Sequence, residues 1–462
     1  MADMVRDRAI SPVELVESHL KQIEAQNPRL NAFVTVLADE ARAAAKRAED
    51  AVMHGNSLGL LHGVPVTIKD SFDMAGLPTQ CGSRFRVGHK ADRDATSVAR
   101  LRAAGAIILG KTNTPEFLSN YETDNFITGR TNNPWNLART AGGSSGGEAA
   151  AIASFCSAGG IGSDGGGSIR IPAHFCGIAG LKPTPGRISA NGHFPAMNNP
   201  AGLLAVAGPL ARSAEDLRLL FAALAGYDSQ DPFSAPVPLR PSSVAGLRVG
   251  LVEQFYRVPV DPEIRQTVRR AAQVLADLMI PTEAFAPQGL ERAPNLWWFF
   301  MGQMAARLTQ QMIEGREGDA HWTTTELLSG GLEQPAPTVD QLLLNLATRD
   351  RMRASLLRQM EEFPVLLMPP CGVTAFPHRS RRWTVGQNMD EVEIGLFQAT
   401  MPATPFNLLG LPAVVIPFGM STEGLPIGIQ LVGRPYEEEL ILELAVRLEN
   451  ARGPFAGPAM VT

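Results

Sequence analysis

The chain is poor in cysteine, with four among its 462 residues. They are Cys81, Cys156, Cys176 and Cys371, and no two of them have the spacing of a CxxC motif or of a Cys/His metal cluster. The sequence therefore offers neither a zinc-type site nor a redox pair. We expect an enzyme without a metal or cofactor, and reduced cysteines fit a cytoplasmic location.

An excess of positive charge is also missing. Lys and Arg number 41 against 46 Asp and Glu, which gives a formal charge of -5 without a long basic run. Nucleic acid is therefore a poor candidate partner. No apolar stretch approaches the ~18 residues of a membrane span, and residues 1–20 lack the apolar core of a signal peptide. We expect no membrane association.

Hydrophobic residues make up 45% of the chain, which is typical of a globular protein with a sizeable core. Helical periodicity over residues 11–25, 38–53 and 262–279 alternates with short apolar runs at 64–68, 106–109, 244–252, 365–368, 413–418 and 427–432. This alternation predicts an α/β fold. The Pro- and Ser-rich stretch 228–241 is interpreted as a surface loop rather than a linker, so that residues 1–462 form one domain.

Aromatic residues are scarce, at 6%, yet several cluster between residues 295 and 312. Trp297, Trp298, Phe299, Phe300 and Met301 form a stripe wider than one helical face. A buried core helix is the favoured interpretation, and the wall of an apolar substrate pocket is the alternative.

The most informative stretch is 141–184, in which two glycine-serine loops flank a predicted helix. The first loop holds Ser144 and Ser145 between paired glycines, and the helix should start near Gly147. An extended return over residues 159–163 would bring Ser168 back towards Ser144. In the second loop the backbone amides of Gly165, Gly166, Gly167 and Ser168 could converge on one oxygen, as an oxyanion hole requires.

A nucleophilic serine needs a base, and none of the eight histidines stands out. His174 lies in an apolar context and is interpreted as structural. Lys69 ends the apolar run 63–68, so a strand would carry its amine inside the fold, where lysines are rare. Burial lowers a lysine pKa, and a neutral lysine can accept a proton from serine.

These motifs resemble the amidase signature hydrolases, most specifically in Gly63–Asp70 (GVPVTIKD) and in residues 142–184, and more broadly along nearly the whole chain. The resemblance implies a large mixed central β-sheet surrounded by helices. It implies a catalytic triad in which Ser168 attacks the carbonyl, Ser144 relays protons after a cis Gly143–Ser144 bond, and Lys69 is the base. Asp164 and Arg170 match further motif positions, where an ion pair that shapes the loop is the expected role.

The implied reaction is hydrolysis of an amide-like C–N bond through an acyl-enzyme on Ser168. Ser144 protonates the departing amine, which an ester needs less, so side esterase activity and carbamate cleavage are expected. Two residues depart from the usual pattern, since Gly165 replaces a larger residue and Glu148 replaces a serine. The variable region, about 202–360, matches no subfamily, and its Trp and Met content favours bulky apolar or aryl substrates such as aryl amides and urethanes.

Three alternatives stay open on the sequence alone. The GxSxG pattern of residues 142–146 also fits the nucleophile elbow of an α/β-hydrolase, with Ser144 as nucleophile. The glycine-rich loops could cradle phosphate, although no GxxxxGK[ST] motif is present. The chain could also be the glutaminase-like subunit of a transfer-RNA amidotransferase. The favoured prediction is an amidase that is monomeric or homodimeric and acts on small molecules.

Overall fold

The structure is a computed structural model that describes residues 1–197, 203–385 and 391–459. Gly202, the predicted start of the variable region, lies outside these residues. The helices are α1 Ala2–Arg6, α2 Pro12–Leu30, α3 Ala38–Met53, α4 Thr96–Ala103, α5 Gly146–Ala153, α6 Arg170–Cys176, α7 Ala214–Leu224, α8 Pro262–Asp277, α9 Ala293–Trp298, α10 Ala305–Ile313, α11 Trp322–Leu332, α12 Val339–Gln359, α13 Leu396–Thr400, α14 Thr404–Leu408 and α15 Glu438–Arg452.

The strands are β1 Phe33–Val36, β2 Pro65–Lys69, β3 Ile107–Thr112, β4 Gly159–Asp164, β5 Ala179–Lys182, β6 Val206–Ala211, β7 Val249–Leu251, β8 Thr282–Ala284, β9 Val365–Met368, β10 Arg382–Val385, β11 Val392–Gly395, β12 Ala413–Met420 and β13 Pro426–Gly433. Eleven of these described strands form one sheet in the order β1-β3-β2-β4-β6-β5-β12-β13-β9-β7-β8, and β10 pairs with β11. The sheet is mixed, with helices packed around it, so the predicted fold class is confirmed.

The first half of the sheet positions the candidate site. Strand β2 pairs in parallel with both β3 and β4, so that Thr67 lies opposite Gly160 and Ile68 opposite Ile161. Every residue of β2, β3 and β4 is buried, because helices cover the sheet there. A polar side chain on β2 therefore lies inside the protein.

The helix boundaries follow local sequence signals. Helix α2 begins at the predicted Ser11 and Pro12, and it runs past residue 25 to Leu30, where Asn31 adopts a left-handed conformation with φ of 53°. Helix α5 is shorter than predicted. The Ser154 hydroxyl bonds the Ala150 carbonyl at 2.7 Å, and Phe155 has a positive φ of 61°, so the helix ends at Ala153.

Residues 228–241 contain neither helix nor strand, as predicted for a loop. The loop packs on the preceding chain, since Asp228 accepts hydrogen bonds from Thr96 and Ser189. The strand predicted over residues 244–252 is reduced to Val249–Leu251, because a turn closed by Leu247 N–H on the Val244 carbonyl occupies its first residues. No helix in the described ranges is long and apolar enough to cross a membrane.

Candidate active site

Lys69 is the last residue of β2, and its side chain is fully buried, with 0% exposed. Its Nζ lies 2.8 Å from Ser144 Oγ, 2.9 Å from Ser145 Oγ and 3.0 Å from Ser163 Oγ. A strand alternates its side chains, so Thr67 and Lys69 face the same side of the sheet. The predicted burial of this amine is confirmed, and three hydroxyl groups surround it.

Burial lowers the pKa of Lys69 to about 7, because no solvent stabilises the charged form. Glu148, on α5, is buried as well, and the loss of solvent raises its pKa to about 7. The Glu148 carboxyl accepts hydrogen bonds from Thr67 at 2.5 Å and from Thr112 at 2.6 Å. The lysine can therefore be neutral near neutral pH, as a base requires.

The two glycine-serine loops meet directly. The Ser145 N–H donates to the Ser168 carbonyl at 3.2 Å, and the helix α5 and strand β4 between them return the chain as predicted. The Gly143–Ser144 peptide bond is cis, as the resemblance implies. Ser168 itself is half-buried, and within the described chain its hydroxyl makes no hydrogen bond. The structure thus places Ser144 on Lys69 and leaves the Ser168 hydroxyl free for another partner.

The second loop presents its amides unequally. The Gly167 N–H donates to Asp164 Oδ1 at 2.7 Å, so this amide already has a partner. In the described ranges the N–H groups of Gly165, Gly166 and Ser168 have none. The expected set of four converging donors is therefore reduced to three, and Gly167 instead anchors the loop on the Asp164 carboxylate.

Asp164 and Arg170 form a buried bidentate ion pair, with both N–O distances 3.0 Å. Burial alone would raise the pKa of Asp164, but the guanidinium of Arg170 holds it well below its usual range. Arg170 also donates to the side chains of Gln430 and Asn407. The predicted ion pair is confirmed. Sequence reasoning missed Asn407 and Gln430 as its partners, although Asn407 begins the quoted NLLGLPA motif of the resemblance.

The aromatic segment 295–312 begins in α9, continues through a π-helical turn at Phe299–Met304 and ends in α10. Trp297 and Phe300 are buried in the core, as the favoured interpretation states. Trp297 also donates its indole N–H to the Gly165 carbonyl at 2.7 Å. The segment is therefore both part of the core and a neighbour of the second glycine loop.

His174 is a structural residue, as predicted. Its Nδ1 accepts a hydrogen bond from the Gly428 N–H at 2.8 Å, and its Nε2 lies 3.1 Å from the Val373 carbonyl. Burial lowers the pKa of His174 to about 4, so the ring is neutral. Both nitrogens have partners, and neither is available as a base. All four cysteines are free and buried, and no group of His, Cys, Asp and Glu in the described chain could hold a metal ion.

The nucleophile-elbow alternative does not match this geometry. An elbow places its serine on a sharp turn between a strand and a helix. Helix α5 does follow Ser144, but Thr140, shortly before it, forms only an isolated bridge with Asn132. The serine loop is thus supported by the Lys69 cluster rather than by a preceding strand.

Comparison with known proteins agrees with this arrangement. The family model described as Amidase matches residues 14–442. A glutamyl-tRNA(Gln) amidotransferase subunit from Synechococcus sp. (strain CC9605) is 35% identical, with 97% of this chain and 94% of that protein covered. The chain therefore belongs to the amidase family. It is an amidohydrolase, an enzyme that cleaves the C–N bond of amides.

Two solved structures show the same likeness. A 6-aminohexanoate cyclic dimer hydrolase superposes with a TM-score of 0.87 at 31% identity, covering 100% of this chain and 98% of the other. A bacterial aryl acylamidase of the amidase signature family superposes with a TM-score of 0.85 at 28% identity, covering 97% and 94%. Known enzymes of this fold thus include proteins named for different amide substrates.

Proposed function

We propose that this enzyme hydrolyses amides and carbamates that carry a bulky apolar or aryl group, with esters as side substrates, through an acyl-enzyme on Ser168. The observation that carries the proposal is the buried Lys69 amine, held 2.8 Å from Ser144 Oγ in the loop that bonds to Ser168. Neutral Lys69 takes a proton from Ser144, Ser144 takes one from Ser168, and the Ser168 oxygen attacks the carbonyl.

The N–H groups of Gly165, Gly166 and Ser168 then bind the oxygen that becomes negative in the tetrahedral intermediate. Ser144 returns its proton to the departing amine nitrogen, and the C–N bond breaks. Water, deprotonated by the same relay, attacks the Ser168 ester and releases the acid. The ion pair of Asp164 and Arg170 supports the loop without taking part in these proton transfers.

The preference for apolar groups rests on the surroundings of the second loop. A Cβ added at Gly166 would lie 2.2 Å from Cζ2 of Trp297, and one added at Gly165 would lie 2.8 Å from Cε of Met301. Trp298 and Phe397 pack behind them, with ring centroids 5.7 Å apart. A carbonyl bound at the loop would therefore have aromatic and thioether surfaces beside it.

The test is a panel of aryl amides, aliphatic amides, aryl carbamates and esters, given to the isolated chain and to Ser168→Ala. We expect aryl amides to have the highest kcat/KM among the amides, and Ser168→Ala to lose more than about 10³-fold on every substrate. A fluorophosphonate should add its mass to the peptide containing Ser168. Ser329→Ala, on exposed α11, is the control and should keep full activity. An adduct on Ser144 contradicts the assignment.

A second candidate is a glutaminase subunit of an amidotransferase, favoured by the 35% identity to a protein of that name over 97% of this chain. Such a subunit would act on glutamine and work with other chains. The apolar surroundings of the second loop argue against it. Glutamine hydrolysis by the isolated chain at a higher kcat/KM than any aryl amide, or activity only with a partner protein, would establish this alternative.

A further inference from the structure

Two aromatic side chains hold the carbonyl oxygens of the second glycine loop. Trp297 Nε1 donates to the Gly165 carbonyl at 2.7 Å, and Tyr121 Oη donates to the Gly166 carbonyl at 2.8 Å. Trp297 comes from α9 and Tyr121 from the segment that follows β3, so two distant parts of the chain converge on adjacent peptide units. The loop itself contributes neither contact.

The carbonyls on either side are also occupied. The Asp164 carbonyl accepts a hydrogen bond from Asn407 Nδ2 at 2.9 Å, and the Gly167 carbonyl accepts one from the Ile171 N–H at 2.7 Å. Four successive carbonyls therefore each have a donor. Glycine peptides rotate easily, so a loop of this composition keeps one orientation only if outside contacts fix it.

These contacts decide where the amides point. The C=O and N–H of a trans peptide unit are directed to opposite sides. When Trp297 binds the Gly165 carbonyl, the Gly166 N–H of the same peptide is turned away from the indole. The next peptide is held at both ends, by Tyr121 on the Gly166 carbonyl and by Asp164 on the Gly167 N–H, 2.7 Å away. The Gly166 amide is thus the freely presented donor next to Ser168.

We propose that Trp297 and Tyr121 are positioning residues of the oxyanion hole, which orient the Gly166 amide towards the carbonyl that Ser168 attacks. The inference rests on the proposed function, because it needs a negative oxygen at this loop. Neither side chain touches the reacting atoms in this role. Each acts through a peptide unit of the loop.

The two donors are well suited to this task. Trp297 is only 7% exposed and stacks on Phe397 with ring centroids 6.4 Å apart and an interplanar angle of 23°, so the indole has little freedom. An indole nitrogen only donates, so the Gly165 carbonyl cannot turn away without leaving a buried N–H unpaired. Burial raises the pKa of the Tyr121 phenol, which stays a donor at neutral pH.

Loss of either hydrogen bond frees a peptide unit to rotate and misaligns an amide that stabilises the transition state more than the substrate. The expected signature is a lower kcat with little change in KM. Removing an oxyanion donor outright costs about 10²–10³-fold in kcat. Trp297→Phe and Tyr121→Phe leave the amide in place, so we expect losses between about 10-fold and 100-fold.

Two variants serve as matched controls. Trp135→Phe removes an indole hydrogen bond to the Cys176 carbonyl, and Tyr256→Phe removes a phenol hydrogen bond to the Pro287 carbonyl. Both contacts have the same chemistry as those of the loop but lie away from it. We expect comparable changes in melting temperature in controls and test variants, but unchanged kcat in the controls.

The experiment measures kcat, KM and the inhibition constants of two probes on one aryl amide. A trifluoromethyl ketone forms a tetrahedral adduct with an oxyanion, whereas the product acid mimics the ground state. The proposal expects the ketone to bind more weakly in Trp297→Phe and Tyr121→Phe, in proportion to kcat/KM, while the acid binds as before. Unchanged kcat and ketone affinity, or a rise in KM alone, overturns it.

If Trp297→Phe does not fold, benzothienylalanine at position 297 replaces the N–H by sulfur in a ring of the same shape and decides the question by the same readouts. Ser168→Ala separates the two levels of the proposal. A fully active Ser168→Ala refutes the proposed function. An inactive Ser168→Ala combined with normal catalysis by Trp297→Phe refutes only the positioning role.

Discussion

Lys69 Nζ lies 2.8 Å from Ser144 Oγ, inside the protein and next to two further hydroxyl groups. Three charged or ionisable groups act on it from a distance, namely Cys81, Asp164 and Glu148, and each raises its pKa against the larger opposing effect of burial. Burial raises the pKa of the Cys81 thiol to about 12, so this group is neutral, and Arg170 compensates Asp164. Glu148 remains as the charge that can tune the amine.

The first prediction concerns the pH dependence of the wild-type enzyme. A pKa lowered to about 7 means that Lys69 is protonated below that pH and neutral above it. Since only the neutral amine accepts a proton, kcat/KM on an amide should rise with pH, with an apparent pKa of about 7. Lys69→Met should lose more than about 10³-fold and show no such limb. The prediction is wrong if the profile is flat between pH 5 and 9, measured at constant ionic strength.

The second prediction concerns Glu148, which the sequence marks as a departure from the usual serine. Its negative charge raises the pKa of Lys69, so Glu148→Gln should move the acid limb of the kcat/KM profile to lower pH. Glu449→Gln is the matched control. Glu449 on α15 is a buried carboxyl whose pKa burial also raises to about 7, but it does not act on Lys69. A limb that stays in place in Glu148→Gln, or moves equally in the control, contradicts the prediction.

Much of this site could be predicted from local sequence. The run ending at Lys69 predicts a strand that carries an amine into the fold, and the two glycine-serine loops predict the return of the chain from α5 through β4. Asp164 and Arg170 form the predicted ion pair. Such features depend on residues close together in the chain, where periodicity and turn chemistry determine the geometry.

Other features depend on contacts between distant segments, and the sequence gives no local signal for them. Tyr121 approaches Gly166 from 45 positions away, and Asn407 reaches Asp164 from 243 positions away. The free use of four amides was expected because glycines leave them unhindered. The Asp164 carboxylate that binds the Gly167 N–H could not be foreseen from glycine content alone.

The third prediction concerns the buried ion pair. Asp164→Asn leaves the guanidinium of Arg170 buried without a counter-charge, which should lower the free energy of unfolding by about 3–5 kcal/mol. Urea unfolding of the two proteins measures this change. Glu253→Gln breaks the ion pair with Arg269 at the surface and should have a far smaller effect. Equal unfolding midpoints for wild type and Asp164→Asn would contradict a stabilising role for the pair.

The last prediction concerns substrate size. Gly165 has room for a side chain only if the flexible end of Met301 moves, because an added Cβ would lie 2.8 Å from its Cε. Gly165→Thr should therefore narrow the apolar space beside the loop while keeping the backbone amide. We expect KM for aryl amides to rise by about 10-fold or more, since a pocket that loses the space of a methyl group loses 1–3 kcal/mol of binding, roughly.

Small aliphatic amides should be much less affected, so the ratio of kcat/KM for aryl over aliphatic substrates is the measured quantity. Gly318→Thr, where an added Cβ would meet no atom within 4 Å, is the control and should leave the ratio unchanged. If Gly165→Thr lowers kcat/KM for both substrate classes equally, the wall formed by Trp297 and Met301 does not select substrates, and the aryl preference must arise elsewhere in the site.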